Sequence, residues 1–337
     1  MAHSRPTLHD VATLAGVSKS LVSLALAGSP KVSDASRARI DDAAAELGYR
    51  PNAAARSLKV RRTHTIGVLI LDLHNPVFAE ILDGVQTEVR QHGFSTMLIS
   101  GSSDPALEQA EIETLLRFQI EGLILIAHRL PEAILRTVAA EVPTVVVTRD
   151  DLDIPQMDSV SNDDVDGARM AVDHLVGLGH RRIVHLNGGD NPVSHARSEG
   201  YRRAMTDHGL AEFIQVVPGG LTDAAGFAAT SEALGYHPTA LFVANDVAAM
   251  GAIAAIENAN LSVPEDISVI GYDGIRIGGM RRVNLTTIAQ PLAELGRQAA
   301  QHMLRRISDR DSPAQHEQLS ATLVIRGTTG PVTSRNS

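Results

Sequence analysis

From residue 66 onward, short runs of β-branched and aliphatic residues alternate with longer segments of helical periodicity. That alternation is the signature of parallel βαβ units, because parallel strands need a crossover and a helix supplies it. Strands are expected at IGVLIL (66–71), TMLIS (96–100), GLILIA (122–127), TVVVT (144–148), RIVHL (182–186), ALFVA (240–244) and ISVIG (267–271). Helices are expected at 76–91, 106–118, 164–178, 197–208, 224–234 and 246–258. Two open α/β sheets in tandem fit this better than one, and the polar, acid-rich DDLDIPQMDSVSNDD (150–164) is expected to separate them. Ligands bind such sheets outside the carboxyl ends of the strands, so residues that follow strands are the first site candidates.

The first 60 residues carry short helical pieces and no strand pattern, then the basic KVRRTHT (59–65) precedes the first strand. TLHDVATLAGVSKSLVSLALAG (7–28) has the fixed points of a helix-turn-helix. Ala12 is small where two helices cross, Gly16 can take the positive φ of the tight turn, and Val22 faces inward. Val11, Ala15 and Val17 complete a small core, Ser18 can cap the second helix, and ASRARIDDAAAELGY supplies a third. Charge divides at the same place. Residues 1–62 hold ten Lys and Arg against five Asp and Glu, a net +5, so with the whole chain at -9 the remainder carries -14. A basic head on an acidic body suits a DNA-binding headpiece joined to a separate sensor. A helical protein-protein module of the same size is the bland alternative.

TLHDVATLAGVSKSLVS, VSDASRARI, LGYRPNAAARSLK, TIGVLI and the late LVIRGTTG resemble the LacI family of bacterial transcriptional regulators over nearly the whole length. The resemblance implies a small all-α helix-turn-helix domain, then an α/β effector domain of two Rossmann-like open parallel-sheet subdomains, similar to periplasmic binding proteins. It places the headpiece at 1–50, a hinge helix and linker at 51–64, and an effector-binding and dimerisation domain at 65–337. Within that domain the first subdomain takes about 65–162 plus 291–320, and the second about 163–290 plus 321–330. It implies DNA contacts at Thr7, Ser18, Lys19, Ser20, Ser23 and Leu24, with the second helix in the major groove and Lys19, Ser20 and Leu24 reading base edges. Leu24 stands where most members carry Arg and offers only apolar contact, and Leu21 replaces the usual Thr, so a borrowed operator sequence does not follow. In PNAAARSLKV, Asn52 can cap a helix too short to be stable alone. The family places two such helices in the minor groove, where Leu58 would wedge between central base pairs beside Ala55, Arg56 and Lys59.

Residue by residue, the resemblance implies an effector cleft formed by Asp72, Asn75, Phe78, His128, Arg197, Asn245, Asp246, Asp273 and Gln290. Guanidinium, amide and carboxylate groups pair with the donors and acceptors of a hydroxyl-rich ligand, a sugar or polyol. Stacking platforms are scarce, since the chain has no Trp and 3% aromatic residues, which leaves Phe78 as the main one. His128 equally fits a satisfied loop residue, and Asp246 a helix cap.

Two rivals come from other classes. An enzyme would share the α/β sheets, yet the sequence holds no GxSxG elbow, GxxxxGK[ST] loop, HExxH pair or GxGxxG fingerprint, and its 14 His lack ligand spacing. No metal, cofactor or catalytic residue is therefore expected. An exported solute-binding protein would share the sensor fold but needs a signal peptide, and MAHSRPTLHD has no apolar core. Without cysteine, disulfides and zinc-thiolate sites are unavailable, and the cytoplasm is the expected compartment. One helix-turn-helix reads a half-site, so a homodimer on a near-palindromic operator is expected; RGTTGPVTSRNS has no heptad pattern to build a tetramer.

Overall fold

The structure is a computed structural model that describes residues 6–26, 29–49, 62–149, 152 and 154–332. The chain divides into two compact units, Met1–Thr63 and His64–Ser337.

In the first unit, helices α1 (Leu8–Ala15), α2 (Lys19–Leu26) and α3 (Asp34–Leu47) enclose a small core. Thr7 opens α1 with a capping box: its Oγ1 accepts from the Asp10 amide, while Asp10 Oδ2 accepts from the Thr7 amide at 2.7 Å. Gly16 ends α1 at φ 65°, where added side-chain volume would meet nothing, so the backbone angle rather than space calls for glycine. Ser18 Oγ then accepts from the Leu21 amide at 3.2 Å to start α2. Val11, Ala12, Ala15, Val22, Ala25 and Ile40 are buried together. Arg37 fastens α3 to the end of α2 by donating to the Ala25 and Ser29 carbonyls, both at 2.8 Å.

The second unit holds two six-stranded sheets. The first has the order β11-β5-β4-β3-β1-β2, with β1 Thr65–Ile70, β2 Ser95–Ser100, β3 Gly122–Ile126, β4 Thr144–Val147, β5 Met157–Asn162 and β11 His316–Leu319. All its neighbours run parallel. The second has the order β12-β10-β9-β8-β6-β7, with β6 Ile183–Leu186, β7 Gln215–Val217, β8 Ala240–Val243, β9 Ser268–Asp273, β10 Thr286–Ala289 and β12 Thr322–Val324. Only β12 runs antiparallel to its neighbour. Helices α4 (Pro76–Gln91), α5 (Pro105–Arg117), α6 (Glu132–Glu141) and α11 (Leu292–Ser308) accompany the first sheet. Helices α7 (Asp164–Gly177), α8 (Pro192–Asp207), α9 (Asp223–Ala233) and α10 (Asp246–Asn258) accompany the second. The chain passes between the sheets three times: after β5, after β10 and after β11.

Sheet interiors are continuous aliphatic runs buried on both faces, as parallel strands covered by helices require. Each fully buried Leu, Ile or Val there is worth roughly 1.5–3 kcal/mol. The expected separator at 150–164 is corrected by β5, which runs through it and is buried along its whole length. Its polar residues find partners inside the fold: Asp158 accepts from Arg305 at 2.7 Å, Arg306 at 2.5 Å and the Gln315 amide at 2.8 Å. Among the described residues, no helix is long and apolar enough to cross a membrane.

Candidate effector-binding site

A cavity of about 260 Å³ opens where the carboxyl ends of strands from both sheets face each other. Ala127, Thr148 and Asp273 border it, each at or just past the end of a strand and each with positive φ, 51°, 77° and 110°. Such backbone costs about 1–3 kcal/mol per residue and persists where surrounding packing over-determines it.

Arg197 is the hub. Its side chain is only 5% exposed on the inner face of α8. Nε donates to Asp164 Oδ1 at 2.9 Å, Nη1 donates to the Ala244 carbonyl at 2.5 Å, and Asp273 Oδ1 lies 3.5 Å away. The guanidinium carbon sits 3.7 Å above the Tyr272 ring centroid. Burial opposes the charge, but Asp164 and Asp273 outweigh it and raise the Arg197 pKa, so the guanidinium stays charged. Burial pushes the Asp273 carboxyl up to about 6, although Arg197 and Gln290 oppose the shift. Gln290 Nε2 donates to Asp273 Oδ1 at 2.8 Å.

The cavity brings together Asn75, Phe78, His128, Arg197, Asn245, Asp273 and Gln290 of the residues expected from sequence. Asn75 caps α4 through the Val77 amide, and Phe78, one turn in, forms an apolar wall with Leu71 and Val77. Asn245 has its amide engaged, accepting from the Ala248 amide at 2.8 Å and donating to the Leu221 carbonyl at 3.1 Å. Asp72 and Asp246 do not border the cavity. Asp72 turns back to accept from the His74 amide at 2.9 Å. Asp246 is buried beneath β9 and β10, accepting from Thr287 Oγ1 at 2.6 Å and the Ile275 amide at 2.9 Å. Burial, reinforced by the charge of Asp273, raises its carboxyl to about 7. The cavity also includes Asn162, Asp164 and the run from Asp190 to Ser194 that leads into α8, none of them expected from the sequence. The helical pattern begins at 197, whereas α8 starts at Pro192 behind an Asn191 cap; an Asn-Pro pair at a helix start was the available signal.

On the headpiece, Thr7 and Ser18 are occupied as caps, Lys19 and Ser20 are exposed, Ser23 is half-buried, and Leu24 is 42% exposed on α2. Asn52, Ala55, Arg56, Leu58 and Lys59 lie outside the described residues.

The pattern of bacterial regulatory proteins of the lacI family matches residues 7–52, and that of the periplasmic binding protein-like domain matches 172–329. The ribose operon repressor of Escherichia coli K12 is 36% identical over 328 residues, covering 95% of this chain and 99% of that protein. The chain belongs to the lacI family. It is thus a DNA-binding transcriptional regulator with a helix-turn-helix headpiece and a periplasmic-binding-protein-like domain. Among solved structures, the lac repressor dimer bound to operator and the anti-inducer ONPF superposes on this lacI-family chain with a TM-score of 0.87 at 31% identity, covering 97% of this chain and 100% of that one. A lacI-family regulator from Enterococcus faecium with bound ribose gives 0.73 at 29% identity over 80% of this chain and 100% of that one.

Proposed function

We propose that this lacI-family protein is a cytoplasmic homodimeric repressor of a near-palindromic operator, and that a free sugar or polyol of monosaccharide size in the cavity sets its affinity for DNA. The observation that carries this reading is the two-sided character of the cavity. Arg197, Asp273, Asp164 and Gln290 present charge and amide on one side, and Leu71, Val77 and Phe78 present an apolar wall on the other. A sugar ring has a hydroxyl rim and C–H faces, which such a cavity complements. Its 260 Å³ is the room of about nine water molecules, enough for one ring. The ribose named for a relative and for a structural neighbour supports the same class.

Asn75, Phe78, His128, Arg197, Asn245, Asp273 and Gln290 form the effector site, with Asp72 and Asp246 in supporting turns. The protein works by binding, without chemistry on its effector. Exposed Lys19, Ser20 and Leu24 on α2 read the operator, and residues 51–64 serve as the hinge between a headpiece at 1–50 and a sensor at 65–337. Exposed Leu98 on edge strand β2, Leu107 on α5, Phe227 on α9 and Met280 supply apolar surface that a second copy would cover.

A thermal-shift panel of D-ribose, D-xylose, D-glucose and myo-inositol, followed by calorimetry, tests the ligand class. At least one is expected to raise the melting temperature of the wild type and not of Arg197→Ala, since a ligand of the folded state stabilises by mass action. No shift with any of them contradicts the sugar reading.

A further inference from the structure

We infer that Glu108, which does not itself border the cavity, is a positioning residue of the effector site: its buried carboxyl holds the turn 127–130 in the shape that presents Ala127, His128 and Arg129 to the ligand. The inference rests on the sugar-binding reading above and adds to it a residue that touches no ligand.

Glu108 lies in the first turn of α5, yet it is fully buried. Its Oε2 accepts from the Arg129 amide at 2.9 Å. Room for the side chain comes from Gly101, just past β2. A Cβ there would lie 2.2 Å from Glu108 Cγ, so only glycine leaves the slot open. The turn held in this way follows β3 and begins at Ala127, whose φ of 51° is strained for a residue with a side chain. Ala127, His128 and Arg129 border the cavity, and Leu130 is buried in the apolar core of the first sheet.

A carboxyl is a costly group for this slot. Burial raises its pKa, against the opposing hydrogen bond from the Arg129 amide, and Oε1 has no partner among the described residues. Leucine or methionine would fill the same space without that cost. What neither supplies is an acceptor for the Arg129 amide, and an amide turned into the protein without an acceptor destabilises the backbone that carries it. The bond needs an acceptor and not a charge, so glutamine is expected to serve as well as glutamate. A turn released at Arg129 can relax the angle at Ala127, and a displacement of about 1 Å in the groups it carries is enough to break a ligand hydrogen bond.

The test is calorimetry on the full-length protein with D-ribose, D-xylose, D-glucose and myo-inositol, comparing wild type with Glu108→Gln, Glu108→Met and Glu108→Leu. For the compound that binds most tightly, Glu108→Gln is expected to stay within about twofold of wild type, while the two apolar variants lose about fivefold or more. In a His128→Ala background Glu108→Met is expected to cost less than about twofold, because a group held in place by the turn is then absent. Losses that multiply in full in the double variant overturn the inference, as does a loss in Glu108→Gln equal to that of the apolar variants. Apolar variants that both fail to fold make the role of Glu108 structural and overturn it too. Failure of all four compounds to bind wild type overturns the sugar reading and this inference with it. Binding to wild type with affinity unchanged in the apolar variants, whatever their melting temperatures, overturns this inference alone.

Discussion

His185 lies in β6 beneath the site, stacked on Phe242 at 4.6 Å between ring centroids and tilted against Tyr201. Burial drives its pKa down to about 4, against the hydrogen bond with the Phe242 carbonyl, so it is neutral in the folded protein. In the unfolded chain it protonates near its ordinary value of 6.5. Between those values the unfolded state binds the extra proton, so stability falls as pH drops from 6.5 towards 4. Asp246 and Asp273 act in the opposite sense: their raised pKa values give stability at low pH that is lost as pH rises through about 7 and about 6. Comparison with His185→Leu isolates the histidine, because both carboxyls are present in each protein. Urea unfolding at pH 7 and pH 5 is expected to show wild type losing about 2 kcal/mol more than the variant over that interval. Equal losses would mean that His185 titrates normally. At this scale the sequence exposes residues that follow aliphatic strands, such as Asp273, and those in distinctive local patterns, such as Arg197. It hides Asp164 and Asn162, because their roles come from a tyrosine and an arginine that only folding brings beside them.

Helices α4 and α11 meet backbone to backbone. A Cβ on Gly296 would come within 1.9 Å of the Ile81 carbonyl oxygen, and one on Gly84 within 2.0 Å of the Ala293 carbonyl oxygen. Gly296→Ala is expected to destabilise the sensor by about 1–3 kcal/mol through forced separation of the two helices, read from urea melts; a cost near zero would show that the pair can part freely. Helices α6 and α11 and strands β5, β7, β10, β11 and β12 are not among the elements expected from the sequence, although the strongly patterned strands β1, β3, β4 and β8 are legible to within a residue or so. Periodicity finds elements that bury a continuous apolar stripe. It fails for β5, whose buried polar side chains include Asp158, Ser159 and Asn162, bonded to Arg306, His316 and Tyr272 far along the chain, and for β11, which is half exposed. The headpiece helices were legible because caps and a turn glycine are local signals, visible without any tertiary partner.

For the whole molecule, residues 1–62, headpiece and hinge segment together, carry a net +5 that supplies attraction to phosphate, while the remainder at net -14 has little affinity of its own for DNA. Regulation then requires that a sugar bind the DNA-competent and DNA-incompetent forms unequally, by roughly 1–3 kcal/mol for a typical allosteric protein. The deciding measurement is fluorescence anisotropy of the full-length protein on a duplex it selects from a random library, at fixed salt, while a sugar that raises the melting temperature is titrated in. A saturable change in the fraction of DNA bound, with wild type, is the predicted result, together with no change for Arg197→Ala at the same sugar concentrations. A bound fraction that stays constant at saturating sugar, or the same response from Arg197→Ala, would contradict the account.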